Sequence, residues 1–416
     1  MPMPFDRATD FPTHLSVDAA RQRIVELCTR RPLTTENVPI ERALDRILAT
    51  DVVAPHAIPP FANSAMDGFA LRGADLLPDG SKRFRLRGTM LAGTRAPLQV
   101  EADECVRITT GAPLPIGADT VVMKEHARIE GDEVLVNAGE RAGSNVRPAG
   151  EDYRSGEVAL HAGDALTAVR LGVLASSGRS SVLVSARPRV ALLATGDELV
   201  PPGTTLGYGQ IHDSNRYALS GLLQGMGIDV VRSLHIRDDP QALREVLLEC
   251  SRTCDVLISS GGVSAGEADH FPRLLAELGT VHFWKVRMKP GMPFLCGEIG
   301  DALVFGLPGN PVSSVATLLT LVKPGLFAMQ RASENPRRWH ARLSGPVRKK
   351  HDRTEFLRGR LESAADGTLL ATPLDRQGSG MQRGVVEADC LLVVPETAHD
   401  LAAGEVVEVL PLPGLC

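Results

Sequence analysis

The chain has 416 residues, a net charge of −5 and a pI of about 6.1, and this length predicts about three domains. Aromatic residues make up only 4% of the chain and no long basic stripe occurs, so neither nucleic acid nor an acidic membrane surface is expected as a partner. The seven cysteines are scattered and the start lacks the apolar core of a signal peptide. We therefore expect a soluble protein of the reducing cytoplasm.

The first half of the chain predicts a helical unit interrupted by β structure. Residues 16–30 predict a helix that Ser16 caps and that has one apolar face. Short β-prone runs separated by Gly and Pro fill residues 46–156 and predict an inserted β-rich domain. Residues 157–186 are weakly helical, and we expect them to pack with the N-terminal helix. Residues 1–45 and 157–186 together are thus the predicted N-terminal helical and linker domain.

The second half predicts two further domains. Residues 187–332 alternate between strand, loop and helix, and Asp239-Pro240 and Asn310-Pro311 each place a cap residue before a proline at a helix start. This rhythm predicts a doubly wound, mostly parallel α/β/α domain. From residue 333 to residue 416 only short strands divided by turns follow, which favours a small C-terminal β-barrel. The predicted fold class is therefore multidomain, α/β plus β.

Three glycine-rich loops in the predicted α/β domain each follow an apolar run. They span residues 259–269, 285–291 and 306–314. Loops that leave parallel strands expose backbone N–H groups at the carboxyl edge of the sheet, where oxyanions bind. Because Lys285, Lys289 and Asp269 lie in these loops, the pattern predicts an anionic ligand held beside a metal ion.

Polar residues at the other strand ends belong to the same predicted edge, and each has a structural alternative. Asp239 is expected to cap a helix, and Asp269 can cap the helix that follows it. Lys285 is harder to explain in this way, because lysine seldom lies inside an apolar strand. A second group, around residues 63–68, 109–113 and 145–152, can be explained by turn chemistry alone. The candidates at the edge are Thr195, Glu198, Asp238, Ser260, Gly261, Gly262, Ser264, Asp269, Lys285, Lys289, Pro308, Gly309, Asn310 and Pro311.

Two common nucleotide-binding motifs are absent from the sequence, and the pattern for nucleophilic catalysis is incomplete. One G-x-S-x-G string occurs, at residues 262–266 inside the first glycine-rich loop, but no histidine pairs obviously with a serine or cysteine. The P-loop pattern is missing, and no G-x-G-x-x-G stands where a dinucleotide fingerprint needs it. The sequence therefore predicts neither nucleophilic catalysis nor NAD binding.

Several long motifs in order resemble the molybdopterin molybdenumtransferase family, which includes MoeA in bacteria and the E domain of gephyrin. The resemblance covers nearly the whole chain, and the number of motifs makes it specific. The motifs are NSAMDGFA (63–70), TGAP (110–113), GED (150–152), TGDEL (195–199), DSN (213–215), SGGVSAGEAD (260–269), MKPG (288–291) and GLPGNPVS (306–313).

The resemblance implies an enzyme that inserts molybdenum from molybdate into adenylylated molybdopterin and releases AMP with the help of Mg²⁺. It also implies a four-part subunit whose α/β domain is of the molybdopterin-binding type, and a homodimer that shares the site between subunits. Further implied partners are the protein that forms adenylylated molybdopterin and the molybdoenzymes that receive the product. The implied catalytic residues are Asp67, Asp152, Glu198, Asp238, Asp269, Lys285 and Lys289, with Asp238 and Asp269 as hard oxygen ligands of the metal. The implied substrate-binding residues are Thr110, Pro308, Pro311, Arg358 and Ser379. The predicted sheet edge adds further substrate-binding candidates, which are Thr195, Ser260, Gly261, Gly262, Ser264, Gly309 and Asn310.

One departure from the family pattern and two alternatives remain. Met292 stands where the family often has a second lysine, so one contact to the oxyanion would be missing. The first alternative is a non-catalytic molybdopterin-binding scaffold of the same fold, against which the retained acids and lysines count. The second is a pterin or nucleotide hydrolase built on the same α/β domain, against which the β-rich insertion and the barrel count.

Overall fold

The computed structural model describes residues 11–263, 270–333 and 338–412. It begins with β1 (Thr13–Leu15), α1 (Val17–Thr29), β2 (Thr35–Pro39) and β3 (Val52–Val53). Ser16 caps α1 as predicted, because its Oγ accepts a hydrogen bond from Ala19 N at 3.2 Å. The apolar face of α1 packs into the α/β core, not on residues 157–186, and that part of the prediction is wrong.

The predicted β-rich insertion is a curled sheet. Six strands pair in the order β8-β5-β7-β6-β10-β9, and β11 pairs with β4 beside them. Phe69, Phe84 and Val122 belong to one buried hydrophobic core of this sheet. The strands are β4 (Asn63–Ser64), β5 (Gly68–Leu71), β6 (Lys82–Met90), β7 (Glu104–Ile108), β8 (Thr120–Met123), β9 (Ala127–Glu130), β10 (Glu133–Val136) and β11 (Val146–Arg147), with short 3₁₀ turns at Ile40–Arg42, Gly73–Asp75 and Lys124–His126.

The chain on either side of this insertion forms a small unit of its own. The unit contains β12 (Val158–Leu160), α2 (Ala168–Ser176) and β13 (Ser181–Ser185). β13 pairs with β2 and β12 with β3, both antiparallel. Leu48, Leu174 and Val184 share its core, so the β-rich domain is inserted into this unit.

The α/β domain is a seven-stranded sheet with helices on both faces. Its elements are β14 (Arg189–Thr195), β15 (Leu199–Val200), β16 (Ile211–His212), α3 (Asn215–Gly225), β17 (Asp229–Ile236), α4 (Pro240–Thr253), β18 (Val256–Ser260), α5 (Phe271–Leu278), β19 (Thr280–Val286), β20 (Met288–Lys289), β21 (Leu295–Ile299), β22 (Ala302–Leu307), α6 (Pro311–Thr317) and α7 (Lys323–Met329), with a π-helical turn at Leu318–Val322 between the last two.

The strand order in this sheet is β1-β19-β21-β22-β18-β14-β17. Only β21 runs antiparallel to its neighbours. Two hydrophobic cores cover the two faces, which confirms the doubly wound, mostly parallel prediction. The carboxyl ends of β14, β17, β18, β19 and β22 therefore meet at one edge.

One helical stretch of the α/β domain, Pro311–Met329, is long and apolar enough to cross a membrane by length and composition. However, 72% of the most apolar 18 residues of this stretch is buried inside the protein. Leu318, Leu321 and Leu326 pack in the same core as α1. Burial of this kind is what a core helix of an α/β domain shows.

The C-terminal domain is a closed barrel of five strands, as predicted. β25, β26, β23, β29 and β27 pair in that order, and β25 closes the barrel on β27. β20 adds to β25, which joins the barrel to the α/β domain. The elements are β23 (Trp339–Leu343), β24 (Val347–Arg348), β25 (Thr354–Ser363), β26 (Leu369–Pro373), α8 (Gln382–Val386), β27 (Cys390–Val394), β28 (Asp400–Leu401) and β29 (Val406–Pro411).

Candidate functional site

A cleft of about 790 Å³ opens at the carboxyl edge of the α/β sheet. It lies where the rule for open α/β sheets places ligands. Loops after β14, β17, β18 and β22 form its walls, and the segment before α8 reaches it from the barrel. The predicted residues that line it are Thr195, Glu198, Asp238, Ser260, Gly261, Gly262, Pro308, Gly309, Asn310 and Pro311.

The floor of the cleft depends on two glycines. Gly261 and Gly262 have φ angles of +96° and +69°, a region that other residues rarely adopt. A Cβ on Gly261 would lie 2.9 Å from Thr195 O, and one on Gly262 would lie 2.8 Å from Thr195 Oγ1. Thr195 Oγ1 is buried and has no hydrogen-bond partner within the described ranges. Since a buried hydroxyl is normally paired, this oxygen suits a ligand atom.

Asn215 joins two walls of the cleft. Its Nδ2 donates to Ser260 Oγ at 2.8 Å and to Gly309 O at 2.7 Å. The sequence placed this residue in a helix start and did not identify it as a site residue. The signal that could have found it is the DSN motif at residues 213–215, of which Asn215 is the last residue.

The acids of the site lie after β14 and β17. Asp197 N donates to Asp238 Oδ2 at 3.3 Å, and Asp238 N donates to Asp197 Oδ1 at 3.2 Å. Glu198 lies over Gly196, where a Cβ would be only 2.4 Å from Glu198 Oε2. Asp239 caps α4 by accepting from Gln241 N at 2.9 Å, as expected.

Of the two predicted metal ligands, Asp238 and Asp269, the structure describes only Asp238. Asp238 lines the cleft, whereas Asp269 and Ser264 lie outside the described residues. Within the described ranges no group of three His, Cys, Asp or Glu side chains is close enough to hold a metal. Paired carboxylates at an anion-binding edge are nevertheless a donor set that suits Mg²⁺, which is commonly held by one or two carboxylates together with substrate phosphates.

Lys285 lies at the end of β19, on the same edge of the sheet. Its side chain is 8% exposed, and its Nζ is 4.2 Å from the centroid of the Trp284 ring. Its φ of +64° is unusual for a residue with a side chain. Backbone strain of this kind collects at functional sites, so the functional interpretation of Lys285 stays the stronger prediction.

Lys289 faces the barrel. Its Nζ lies 2.8 Å from Glu355 Oε1, and His351 Nε2 lies 3.4 Å from Glu355 Oε2. Burial is the first cause that lowers the pKa of His351. Neither Lys289 nor Lys285 is among the described residues that line the cleft, so their roles stay predictions.

Arg358 and Ser379 connect the barrel to the cleft. Arg358 is 1% exposed, its Nη1 donates to Gly378 O at 3.1 Å, and its Nη2 donates to Arg376 O. Burial lowers the pKa of Arg358. Asn310 precedes α6, but its Nδ2 donates to Ser379 Oγ at 3.1 Å and its side chain makes no capping bond. The cap prediction for Asn310 is therefore wrong for the side chain, which instead holds the barrel segment.

The predicted residues of the β-rich domain form a separate group. Asp67 Oδ1 accepts from both the backbone N and the Oγ1 of Thr110 at 2.9 Å, and Lys124 Nζ lies 3.7 Å from Asp67 Oδ2. The backbone hydrogen bond from Thr110 is the first cause that lowers the pKa of Asp67. Asp152 is exposed. None of these side chains is among the described residues that line the cleft of the same chain.

Three family models match successive parts of the chain. The model described as "MoeA N-terminal region (domain I and II)" matches residues 15–178. The "Probable molybdopterin binding domain" matches residues 191–328, and the "MoeA C-terminal region (domain IV)" matches residues 340–412. The first match covers α1, most of the small unit and the β-rich insertion, the second covers the α/β domain, and the third covers the barrel.

Curated relatives match over almost the full chain. A molybdopterin molybdenumtransferase of Haemophilus influenzae is 34% identical over 95% of this chain and 98% of its own length. A protein of the same name from Synechococcus elongatus is 35% identical over 96% of this chain and 100% of its own length. Gephyrin of Dictyostelium discoideum is 31% identical over 95% of this chain, which spans 62% of that protein.

Solved structures show the same architecture. A molybdopterin biosynthesis MoeA protein of Pyrococcus horikoshii is 31% identical, with a TM-score of 0.77 over 96% of this chain and 99% of that chain. A second structure from the same organism is 27% identical, with a TM-score of 0.83 over 96% of this chain and 100% of that chain.

Proposed function

Because the chain belongs to the MoeA family, we propose that it inserts molybdenum from molybdate into adenylylated molybdopterin and releases AMP. The observation that carries the proposal is the cleft, where four strand-end loops meet a Thr195 hydroxyl that has no hydrogen-bond partner among the described residues. Its volume of about 790 Å³ falls in the usual range for ligand pockets. The curated relatives that carry the name molybdopterin molybdenumtransferase support this activity.

We assign the chain's own residues as follows. Backbone N–H groups of the loops after β18 and β22, together with the Thr195 hydroxyl, hold oxyanions of the substrate. Asn215 keeps Ser260 and Gly309 in place beside them. Arg358 and Asn310 hold the segment with Ser379 against the cleft, which places a hydroxyl from the barrel near the bound molecule.

Magnesium is part of the proposal. Asp238 and Asp269 would hold the ion, and Asp197 orients Asp238 through the two backbone hydrogen bonds. When bound, the ion supplies positive charge that stabilises the phosphate group leaving with AMP. Without such a charge the acids of the cleft would repel an anionic substrate.

The shortage of positive charge also supports a shared site. Among the described residues that line the cleft there is no lysine or arginine. Lys285 lies at the end of β19 and Lys289 pairs with Glu355 of the barrel. Asp67, Thr110, Lys124 and Asp152 lie in the β-rich domain of the same chain. We propose that the protein is a homodimer in which the β-rich domain of a second copy completes the site.

Cytoplasmic location and further partners complete the proposal. The six cysteines in the described ranges are all buried and unpaired, as expected in a reducing compartment. An adenylylating protein must supply the substrate, and molybdoenzymes consume the product. Both kinds of protein are therefore expected to meet this one in the same compartment.

The test is the reaction of adenylylated molybdopterin with the protein, with and without molybdate and Mg²⁺, followed by mass spectrometry of AMP and by assay of active cofactor. Asp238→Asn and Asp269→Ala should each abolish AMP release while the fold is kept. Asp301→Ala is the matched control, because Asp301 is exposed in the turn between β21 and β22 at the opposite edge of the sheet.

Three results would overturn the proposal or part of it. No AMP from the wild-type protein would favour a scaffold, for which the comparisons give no support. AMP release that does not need molybdate would identify a hydrolase instead. Full activity of Asp269→Ala would remove the metal role of that residue.

A further inference from the structure

His235 touches the loop that carries the acids of the cleft. It lies in β17 opposite Ala194 of β14, three residues before Asp238. Its Nε2 is 2.9 Å from Gly196 O. Because a carbonyl oxygen can only accept, Nε2 must carry the proton and donate.

The bond from His235 and the bond to Asp238 act on one peptide unit. The carbonyl of Gly196 and the N–H of Asp197 belong to the same planar group. His235 holds the oxygen of this group at 2.9 Å, and the N–H of the group donates to Asp238 Oδ2 at 3.3 Å. Fixing the oxygen therefore fixes the direction of the N–H that orients the Asp238 carboxylate.

Leu199 N also donates to the Gly196 oxygen, at 3.3 Å, so His235 makes the shorter of two bonds that restrain this peptide. Gly196 has a φ of +143°, and glycine can adopt many other conformations. A rotation of the peptide would turn its carbonyl toward Asp238, so that a carboxylate would face an acceptor in place of a donor. The same rotation would move the Glu198 side chain, which lies directly over Gly196.

We propose that His235 is a positioning residue for the reaction, because it locks the Gly196–Asp197 peptide in the orientation that presents Asp238 and Glu198 to the cleft. The inference rests on the proposed function, since it concerns the rate of that reaction. His235 does not line the cleft among the described residues and is partly buried. It acts on substrate only through the peptide it holds.

Two variants of His235 separate the hydrogen bond from the shape of the side chain. His235→Leu removes the donor but keeps an apolar side chain in the strand. His235→Gln keeps an N–H donor at a similar distance from the backbone. His340→Leu is the control, since His340 is exposed in the barrel.

We expect kcat for AMP release to fall about tenfold or more in His235→Leu, because small displacements of catalytic groups cost up to about 100-fold. KM should change less than kcat, since the oxyanion loops are untouched. His235→Gln should recover most of the rate, and His340→Leu should match the wild type. Hydrogen–deuterium exchange of the peptide that covers residues 195–199 should be faster in His235→Leu alone.

Each outcome decides the inference. Wild-type kcat in His235→Leu, or the same loss in His235→Gln as in His235→Leu, would overturn it. Unchanged exchange at residues 195–199 in His235→Leu would also overturn it, whatever the activity. Failure of the wild-type protein to release AMP would instead refute the proposed function, and the exchange measurement would still test the contact.

Discussion

Replacing Asn215 by Asp changes two hydrogen bonds without changing the size of the side chain. In the wild type, Nδ2 donates to Ser260 Oγ and to Gly309 O. In Asn215→Asp, the Ser260 hydroxyl can turn and donate to the new carboxylate. Gly309 O has no proton to give, so two acceptors face each other at the position where a 2.7 Å bond existed.

The size of the effect follows from these contacts. Asn215→Ala loses two bonds worth about 0.5–1.5 kcal/mol each, or about 1–3 kcal/mol in all. Asn215→Asp loses one of them and adds a negative charge to a cleft that is proposed to bind an anion. Two unit charges 4 Å apart repel each other by about 1–4 kcal/mol at effective dielectric constants of about 80 to 20. We therefore expect Asn215→Asp to raise KM for adenylylated molybdopterin at least fivefold, and more than Asn215→Ala does.

The assay is steady-state AMP release over a range of substrate concentrations, with thermal unfolding measured in parallel. Rising salt should reduce the difference between the two variants, because the added repulsion is screened. A KM for Asn215→Asp within twofold of the wild-type value would refute the reasoning. So would a larger defect in Asn215→Ala than in Asn215→Asp, since charge would then not matter.

Three further predictions concern the floor of the cleft, the acid stability and the barrel contact. Gly262→Ala should weaken AMP binding in calorimetry, because a left-handed φ of +69° costs a non-glycine residue about 1–2 kcal/mol; unchanged affinity would contradict this. Burial raises the pKa of Glu298, but the hydrogen bond with His282 and the charge of Arg31 outweigh it, so the folded-state pKa lies below the usual value for a glutamate. Its stabilising effect is thus fully present above the pKa of an unfolded glutamate and is lost as the pH falls through the lower folded-state pKa. Over this acid range the free energy of unfolding, measured in urea titrations, should therefore fall less for Glu298→Gln than for the wild type. Arg358→Lys should raise KM for molybdate, because lysine lacks the fork that holds Gly378 O and Arg376 O, and an unchanged KM would show that the fork is not needed.

Local patterns predicted the α/β domain well because its signals lie within a few residues. The Asp239-Pro240 pair marks the start of α4, and the glycines at 261 and 262 mark the loop after β18. The rule that ligands bind at the carboxyl edge then selected ten of the residues that line the cleft. These features depend on propensity and on strand direction, which a sequence carries directly.

The features that were missed depend on contacts between distant parts of the chain. β21 was not predicted, and its antiparallel direction is set by pairing with β19 and β22. The helix α1 looked like a partner for residues 157–186, but its apolar face fits the α/β core. Asn310 has the sequence of a cap, yet its side chain binds Ser379 from the barrel. A periodic apolar face shows that a helix is buried, not what it is buried against.

The position of α1 has a consequence for synthesis on the ribosome. Gly325 of α7 packs so closely on Ile24 and Cys28 of α1 that a Cβ would lie 2.6 Å from Ile24 Cγ2, and about 300 residues separate these two helices. At translation rates of about 5–20 residues per second, α7 is synthesised roughly 15–60 s after α1, and the apolar face of α1 stays uncovered for that time. During that interval the nascent chain exposes an apolar surface that chaperones can bind. A fragment that lacks residues 11–30 should leave the surface of α7 that normally packs against α1 exposed and prone to aggregate.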